Sequence, residues 1–260
     1  MCQLLGMNCN VPTDICFSFE GFRARGGKTD EHVDGWGIAF FEGVGCRVFL
    51  DDKASADSAV ADLVRQYPIH STNVIAHIRK ASHGGVALEN THPFQRELWG
   101  RYWIFAHNGE LNDYQPTFSA GYRPVGQTDS ERAFCQILEH FKRCFPGEQM
   151  PPADELHAAL AEVADTIAAH GIFNFLLSNG ELLFARCSTD LHYIVRQAPF
   201  AEAHLVDEDV SIDFSEVTRP SDRVAIIATQ PLTDNETWTR IAPGELLVFV
   251  DGMPGRPGAG

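Results

Sequence analysis

Met1-Cys2-Gln3-Leu4-Leu5-Gly6-Met7 opens the chain with a thiol at the second position, directly ahead of an apolar run that reads as a β-strand over residues 3–7. An initiator methionine is usually trimmed when the next side chain is small, and trimming would leave Cys2 with both a thiol and a free α-amine. The amine titrates near about 7.7–8.0 and an ordinary thiol near about 8.5, so at working pH the amine can accept the thiol proton. Base and nucleophile then reside in one residue. The alternative at this point is a small apolar residue that merely starts a strand.

Further apolar, β-branched or aromatic runs read as strands at residues 37–41, 47–50, 73–78, 101–106, 173–178, 182–187, 192–196, 224–229 and 246–250. Asn179-Gly180 is hairpin chemistry and predicts antiparallel pairing of its flanking runs. Helical spacing appears over 13–23, 58–67, 130–145 and 154–169, the third opened by Thr128-Asp129-Ser130-Glu131, which fits a capping box. Many antiparallel strands with a few separated amphipathic helices predict the α+β class, with helices covering the outer faces of the sheets. One domain is expected over 1–252, followed by a frayed tail at 253–260 whose Gly and Pro content cannot support a packed element.

The composition, 44% apolar and 21% charged over 260 residues, is that of an ordinary globular chain with a sizeable core. A net charge of -15 without any Lys/Arg run argues against nucleic acid as a partner, because such a surface repels phosphate backbones. There is no basic leader and no run of roughly 18 apolar residues, so a soluble, cytoplasmic protein without membrane contact is expected. Seven cysteines, odd in number and without a C-x-x-C pair, suit a reducing compartment and argue against a zinc site. Apart from Cys2 they read as core thiols, Cys135 and Cys144 on the apolar face of a helix.

Four further segments carry polar residues in a suggestive order. Ala76-His77-Ile78-Arg79-Lys80-Ala81-Ser82-His83-Gly84 is followed by Asn90-Thr91-His92-Pro93-Phe94, then Phe105-Ala106-His107-Asn108-Gly109-Glu110-Leu111, then Gln127-Thr128-Asp129-Ser130-Glu131. With Cys2 they resemble the class II glutamine amidotransferases, whose segments H-x-R-aromatic-A-T-x-G, N-x-H-P, H-N-G and T-D-[ST]-E occur in the same order. The run from Met1 through Asp34-Gly35-Trp36-Gly37 to Ala228-Thr229-Gln230-Pro231-Leu232 is similar to the YafJ-type members over nearly the whole chain. The resemblance implies the four-layer αββα sandwich of N-terminal-nucleophile hydrolases. It also implies attack of Cys2 on the side-chain amide of glutamine through a γ-glutamyl thioester, with no metal or organic cofactor.

Free glutamine presents an α-carboxylate, an α-ammonium and a carbonyl that becomes an oxyanion. Arg79 suits the carboxylate, because its planar fork can bind both oxygens. The family assigns the ammonium to Asp129, and the oxyanion hole to the Asn108 side-chain amide and the Gly109 backbone N–H. Each has a plainer reading: a solvated arginine, a first-turn helix carboxylate, an Asn-Gly hairpin turn. Trp36, within a glycine-flanked segment that reads equally as a wall of the pocket or as a plain turn-to-strand entry, and His83 and His107 are candidates for supporting roles; a histidine flanking a strand is more often structural. Arg25-Gly26-Gly27 invites reading as a mobile lid.

Lys80 departs from the pattern, standing where sugar-phosphate-aminating members carry an aromatic residue. No phosphosugar or ATP module remains in the sequence, so the ammonia acceptor is expected on a separate synthase subunit. Two rivals stay open: a stand-alone hydrolase of γ-glutamyl amides, and an inactive ligand-binding or partner-binding domain. No mid-chain cysteine lies in the G-x-C-x-G frame of the other amidotransferase class.

Overall fold

The first strand, β1 (Gln3–Thr13), is buried on both faces because it lies inside a sheet: Leu5, Met7 and Cys9 point to one side, Leu4 and Gly6 to the other. The computed structural model describes residues 2–81, 84–119 and 121–255. After β1 come α1 (Cys16–Ala24), β2 (Trp36–Glu42), β3 (Gly45–Asp51), α2 (Ala59–Gln66), β4 (Ser71–Ile78), β5 (Phe94–Leu98) and β6 (Arg101–Leu111). Then follow α3 (Asp129–Cys144), α4 (Ala153–Ala168), β7 (Gly171–Ser178), β8 (Leu183–Arg186), β9 (His192–Gln197), β10 (Glu202–His204) and β11 (Ser211–Asp213). The chain closes with α5 (Phe214–Val217), β12 (Arg223–Ala228), β13 (Thr239–Arg240), β14 (Leu246–Val250) and β15 (Met253–Gly255).

Two antiparallel sheets result. Seven strands run in the order β13-β9-β12-β1-β4-β2-β3 and six in the order β15-β14-β8-β7-β6-β5, while β10 and β11 form a separate ribbon. Three apolar clusters hold these elements. Leu4, Phe41, Ile75, Ile104, Leu176 and Phe249 join the two sheets. Leu5, Ile38 and Ala76 meet Phe19 and Phe22 of α1 and Val64 of α2. Phe105, Phe173 and Phe184 meet Phe134 and Phe141 of α3 and Leu160 of α4, with Phe105 and Phe134 stacked at 5.2 Å. Each such side chain, fully buried, contributes about 1.5–3 kcal/mol. Facing the second sheet the sequence has Gly6, on which a Cβ would lie 3.1 Å from Leu176 and 3.3 Å from Leu183.

All four long helices and ten of the strands lie where the sequence pattern expects them, to within a few residues at most ends, but several details differ. The runs that β5, β10, β11 and β13 occupy carry too little apolar alternation to announce strands. The tail does not fray from Met253, because Met253–Gly255 pair with β14, Val248 opposite Gly255; residues 256–260 lie outside the described residues. Leu63 is exposed, leaving Ala61 and Val64 as the buried face of α2. The capping box is half made. Thr128 accepts from the Glu131 N–H at 3.2 Å, while the Glu131 carboxylate turns to the Val125 and Gly126 N–H groups, at 3.0 and 2.7 Å, and to Arg96.

Candidate active site

A small pocket opens where the start of β1, the end of β4, β6 and the start of α3 meet. Cys2, Arg79, Gly109 and Asp129 line it together, with Lys80, His92 and His107 beside them. The period of a strand explains the placement. Cys2 has the parity of Leu4 and so faces the gap between the sheets. Gln3 is paired with Ile78, which brings the residue after the end of β4, Arg79, next to the thiol.

The Cys2 Sγ donates to the Lys80 carbonyl at 3.4 Å and accepts from the Lys80 N–H at 3.3 Å. Burial pushes this thiol above its ordinary pKa, against the Lys80 N–H and the nearby positive charges of the chain's terminal amine and Arg79. With the amine still on Met1, the thiol is therefore held protonated. Arg79 is buried and donates through Nη1 to Gly85 O at 3.0 Å and through Nη2 to Gly84 O at 3.1 Å. Its backbone is held by Gly35 O and by the Asp34 N–H. Asp129 is the first residue of α3, and Thr128 takes the capping role instead. One Asp129 oxygen accepts from the Leu111 N–H and the other from the Ser130 N–H, at 2.8 and 2.9 Å.

Asn108-Gly109 is not a turn. Both residues lie inside β6, opposite Asn174 and Phe173 of β7. A Cβ on Gly109 would sit 1.9 Å from Ile172 O, so only glycine fits between this strand and its neighbour. Along β6, Phe105 and His107 face α3 while Ile104, Ala106 and Asn108 face the other sheet. The Asn108 carbonyl accepts from Asn174 Nδ2 at 2.9 Å.

Three histidines pack behind the pocket. His77 and His92 rings lie 4.2 Å apart, His92 and Phe94 4.5 Å, and His77 Nε2 meets His107 O at 3.1 Å. His107 Nδ1 meets Ser130 Oγ at 2.8 Å and its Nε2 meets Ile172 O at 3.0 Å. Burial lowers all three, His77 to about 3 and His92 well below the ordinary value, so the imidazoles are neutral. Among the described residues no group of three or more His, Cys, Asp or Glu is placed to hold a metal ion.

Several expected roles move. Trp36 is not in the pocket; it is fully buried beside Phe19 in the cluster under α1. His83 lies outside the described residues. Arg25 is no lid hinge: it is buried, paired with Asp207 at 2.7 Å, and donates to Gln230 O and Pro231 O. Cys144, read as buried, is exposed, while Cys9, Cys135 and Cys187 are buried and Cys16 and Cys46 intermediate. Two residues of the quoted segments, to which no role was assigned, also stand near the site. His92 lies in the pocket wall, and neither ring nitrogen has a hydrogen-bond partner among the described residues. Thr229, just past β12, accepts from the Leu4 N–H at 2.9 Å through its Oγ1, which also lies 3.5 Å from Asn108 Nδ2.

The family model described as "Glutamine amidotransferases class-II" matches residues 1–257. The chain is 55% identical over 249 residues to the Escherichia coli protein named "Putative glutamine amidotransferase YafJ", covering 96% of this chain and 97% of that one. A Pseudomonas aeruginosa crystal structure described as a "predicted glutamine amidotransferase" superposes with a TM-score of 0.78 at 46% identity, over 97% of this chain and 98% of that one. The structure described as that of the "allosteric regulatory enzyme of purine biosynthesis" superposes with a TM-score of 0.60 at 14% identity, over 97% of this chain and 48% of that one, a likeness of fold alone.

Proposed function

Because this chain belongs to the class-II glutamine amidotransferases, we propose that it hydrolyses the side-chain amide of glutamine, with Cys2 as the nucleophile once Met1 has been removed. The observation that carries this reading is the convergence on one pocket of Cys2 from β1, Arg79 after β4, Gly109 from β6 and Asp129 from α3. The pocket offers a fixed cation and a fixed anion, which match the two charges of a free α-amino acid. Arg79 takes the α-carboxylate, exchanging the Gly84 and Gly85 carbonyls for it, and Asp129 takes the α-ammonium.

The chemistry follows from the thiol. The freed α-amine takes its proton, and the thiolate attacks the γ-carbonyl carbon. The resulting oxyanion is held by the Asn108 amide and the Gly109 N–H. Collapse breaks the C–N bond, the amine's proton leaves with ammonia, and a γ-glutamyl thioester remains. Water then attacks the thioester, giving its proton to the same amine, and glutamate departs as the thiol re-forms. The ammonia is available to a separate synthase subunit. We read the fold as the four-layer αββα sandwich of N-terminal-nucleophile hydrolases, supported by the three apolar clusters between successive layers.

The test is ammonia release from glutamine, beside a γ-glutamyl alkylamide, by protein whose intact mass lacks Met1. Turnover of glutamine is expected, with sharp loss in Cys2→Ser and none in protein still carrying Met1. Full turnover by the unprocessed form would refute the role of the α-amine.

A further inference from the structure

Asn108 poses a problem for its own role. Its side chain is buried at 1% exposure, and Oδ1 has no hydrogen-bond partner among the described residues, while Nδ2 faces Thr229 Oγ1 at 3.5 Å. A buried carbonyl oxygen without a donor is costly, and on the oxyanion role proposed above an acceptor in the donor's place would oppose the reaction. The two ends of an amide are told apart by their partners. Here the partner is a hydroxyl, which can donate as well as accept. The Leu4 N–H already uses one lone pair of that hydroxyl, and no acceptor for the hydroxyl proton is found among the described residues. Turning the Asn108 amide over removes the mismatch: Oδ1 then lies about 3.5 Å from the Thr229 hydroxyl, which can donate to it once the two side chains draw together, and Nδ2 takes the unpartnered position.

Building on the oxyanion role proposed above for Asn108, we propose that Thr229 is a positioning residue, whose hydroxyl donates to Asn108 Oδ1 and so keeps the Nδ2 donor turned toward the substrate carbonyl. Thr229 is well placed to be rigid. It is buried, its N–H donates to Leu4 O at 3.1 Å, and its carbonyl meets His192 Nδ1 at 3.0 Å. The contact also joins the two sheets, β12 and β1 on one side and β6 on the other, so the oxyanion donor is set by a residue hydrogen-bonded to Leu4 of the strand that follows the nucleophile. Asn174 fixes the Asn108 backbone from behind, leaving the amide's orientation to Thr229.

The experiment is a double-mutant cycle on Met1-free enzyme with glutamine. Thr229→Val keeps the shape and removes the hydroxyl; a kcat about 10- to 100-fold lower with KM within about twofold is expected. Thr229→Ser should restore kcat to within about threefold, and in an Asn108→Ala background Thr229→Val should cost nothing further. Should Thr229→Val not fold, Thr229→Ala takes its place in the cycle with the same expectation. The inference is overturned if the hydroxyl-free variant keeps its kcat, if serine fails to rescue, or if the loss is as large without Asn108. An Asn108→Ala enzyme with unchanged kcat would instead sink the oxyanion reading beneath it, so the two failures are distinct.

Discussion

At the scale of single residues, burial raises the pKa of Cys2 as it does those of the other buried thiols, and what would set Cys2 apart on the proposed mechanism is the α-amine freed on its own backbone. Burial raises Cys9, Cys16 and Cys46 to about 12 and Cys135 to about 11, so these are inert thiols at neutral pH. Exposed Cys144 is the competitor for a general alkylating agent. A glutamine-shaped diazo-ketone should nevertheless label the mature protein once, at Cys2, with free glutamine protecting; peptide mapping that found label elsewhere, or no protection, would contradict a site built on Arg79 and Asp129. Arg79→Lys keeps the charge but loses the fork that now holds the Gly84 and Gly85 carbonyls. Its KM for glutamine should rise by roughly tenfold or more while kcat changes little, and a fall confined to kcat would show that Arg79 does not bind ground-state substrate.

At the scale of the element, β6 holds the chemistry in place by tight packing. An alanine at 109 would put its methyl 1.9 Å from Ile172 O and 2.6 Å from Ile172 C, so β6 and β7 would have to part. Gly109→Ala should cost about 3 kcal/mol or more, lowering Tm by roughly 5–10 °C. Gly147→Ala, where nothing lies within 4 Å of an added methyl, should leave Tm unchanged. Thermal melts of the pair decide it. This strand also marks what the sequence could tell. Its apolar alternation from Arg101 to Ala106 was legible, but Asn-Gly has the signature of a hairpin, and only pairing with β7 from 60 residues further on overrides that local preference. Trp36 misleads for a related reason: its flanking glycines suggest a loop, whereas Gly37 is needed because the His92 carbonyl would lie 2.4 Å from a Cβ there. Thr229 and His92 stood in recognisable segments, but their contacts were not legible, since a hydroxyl or an imidazole gains its role from neighbours distant in sequence.

At the scale of the whole molecule, His77, His92 and His107 link the pocket to pH. Their folded pKa values lie below the ordinary histidine value, so the unfolded chain takes up protons that the folded one refuses. The stability they contribute is complete above about pH 6.5 and is lost as pH falls from there toward about 3, the value of His77. Tm should accordingly hold from pH 8 to 7 and drop below 6.5. His92→Phe, which keeps a ring against His77 and Phe94, should make that drop shallower; an unchanged slope would remove His92 from the account. The connection of Leu4 to Thr229, 225 residues apart, has a consequence of another kind. On a ribosome moving at about 5–20 residues per second, β1 waits roughly 10–45 s before its β12 partner emerges. Its other neighbour, β4, emerges sooner, Ile78 lying 75 residues after Gln3, so for roughly 4–15 s the amino terminus is an unpaired strand open to a peptidase, and Cys2 can be clasped by Lys80 only after that. On the proposal that Met1 is removed, trimming should therefore precede pairing, and protein refolded with Met1 in place should resist the peptidase that clips its unfolded form.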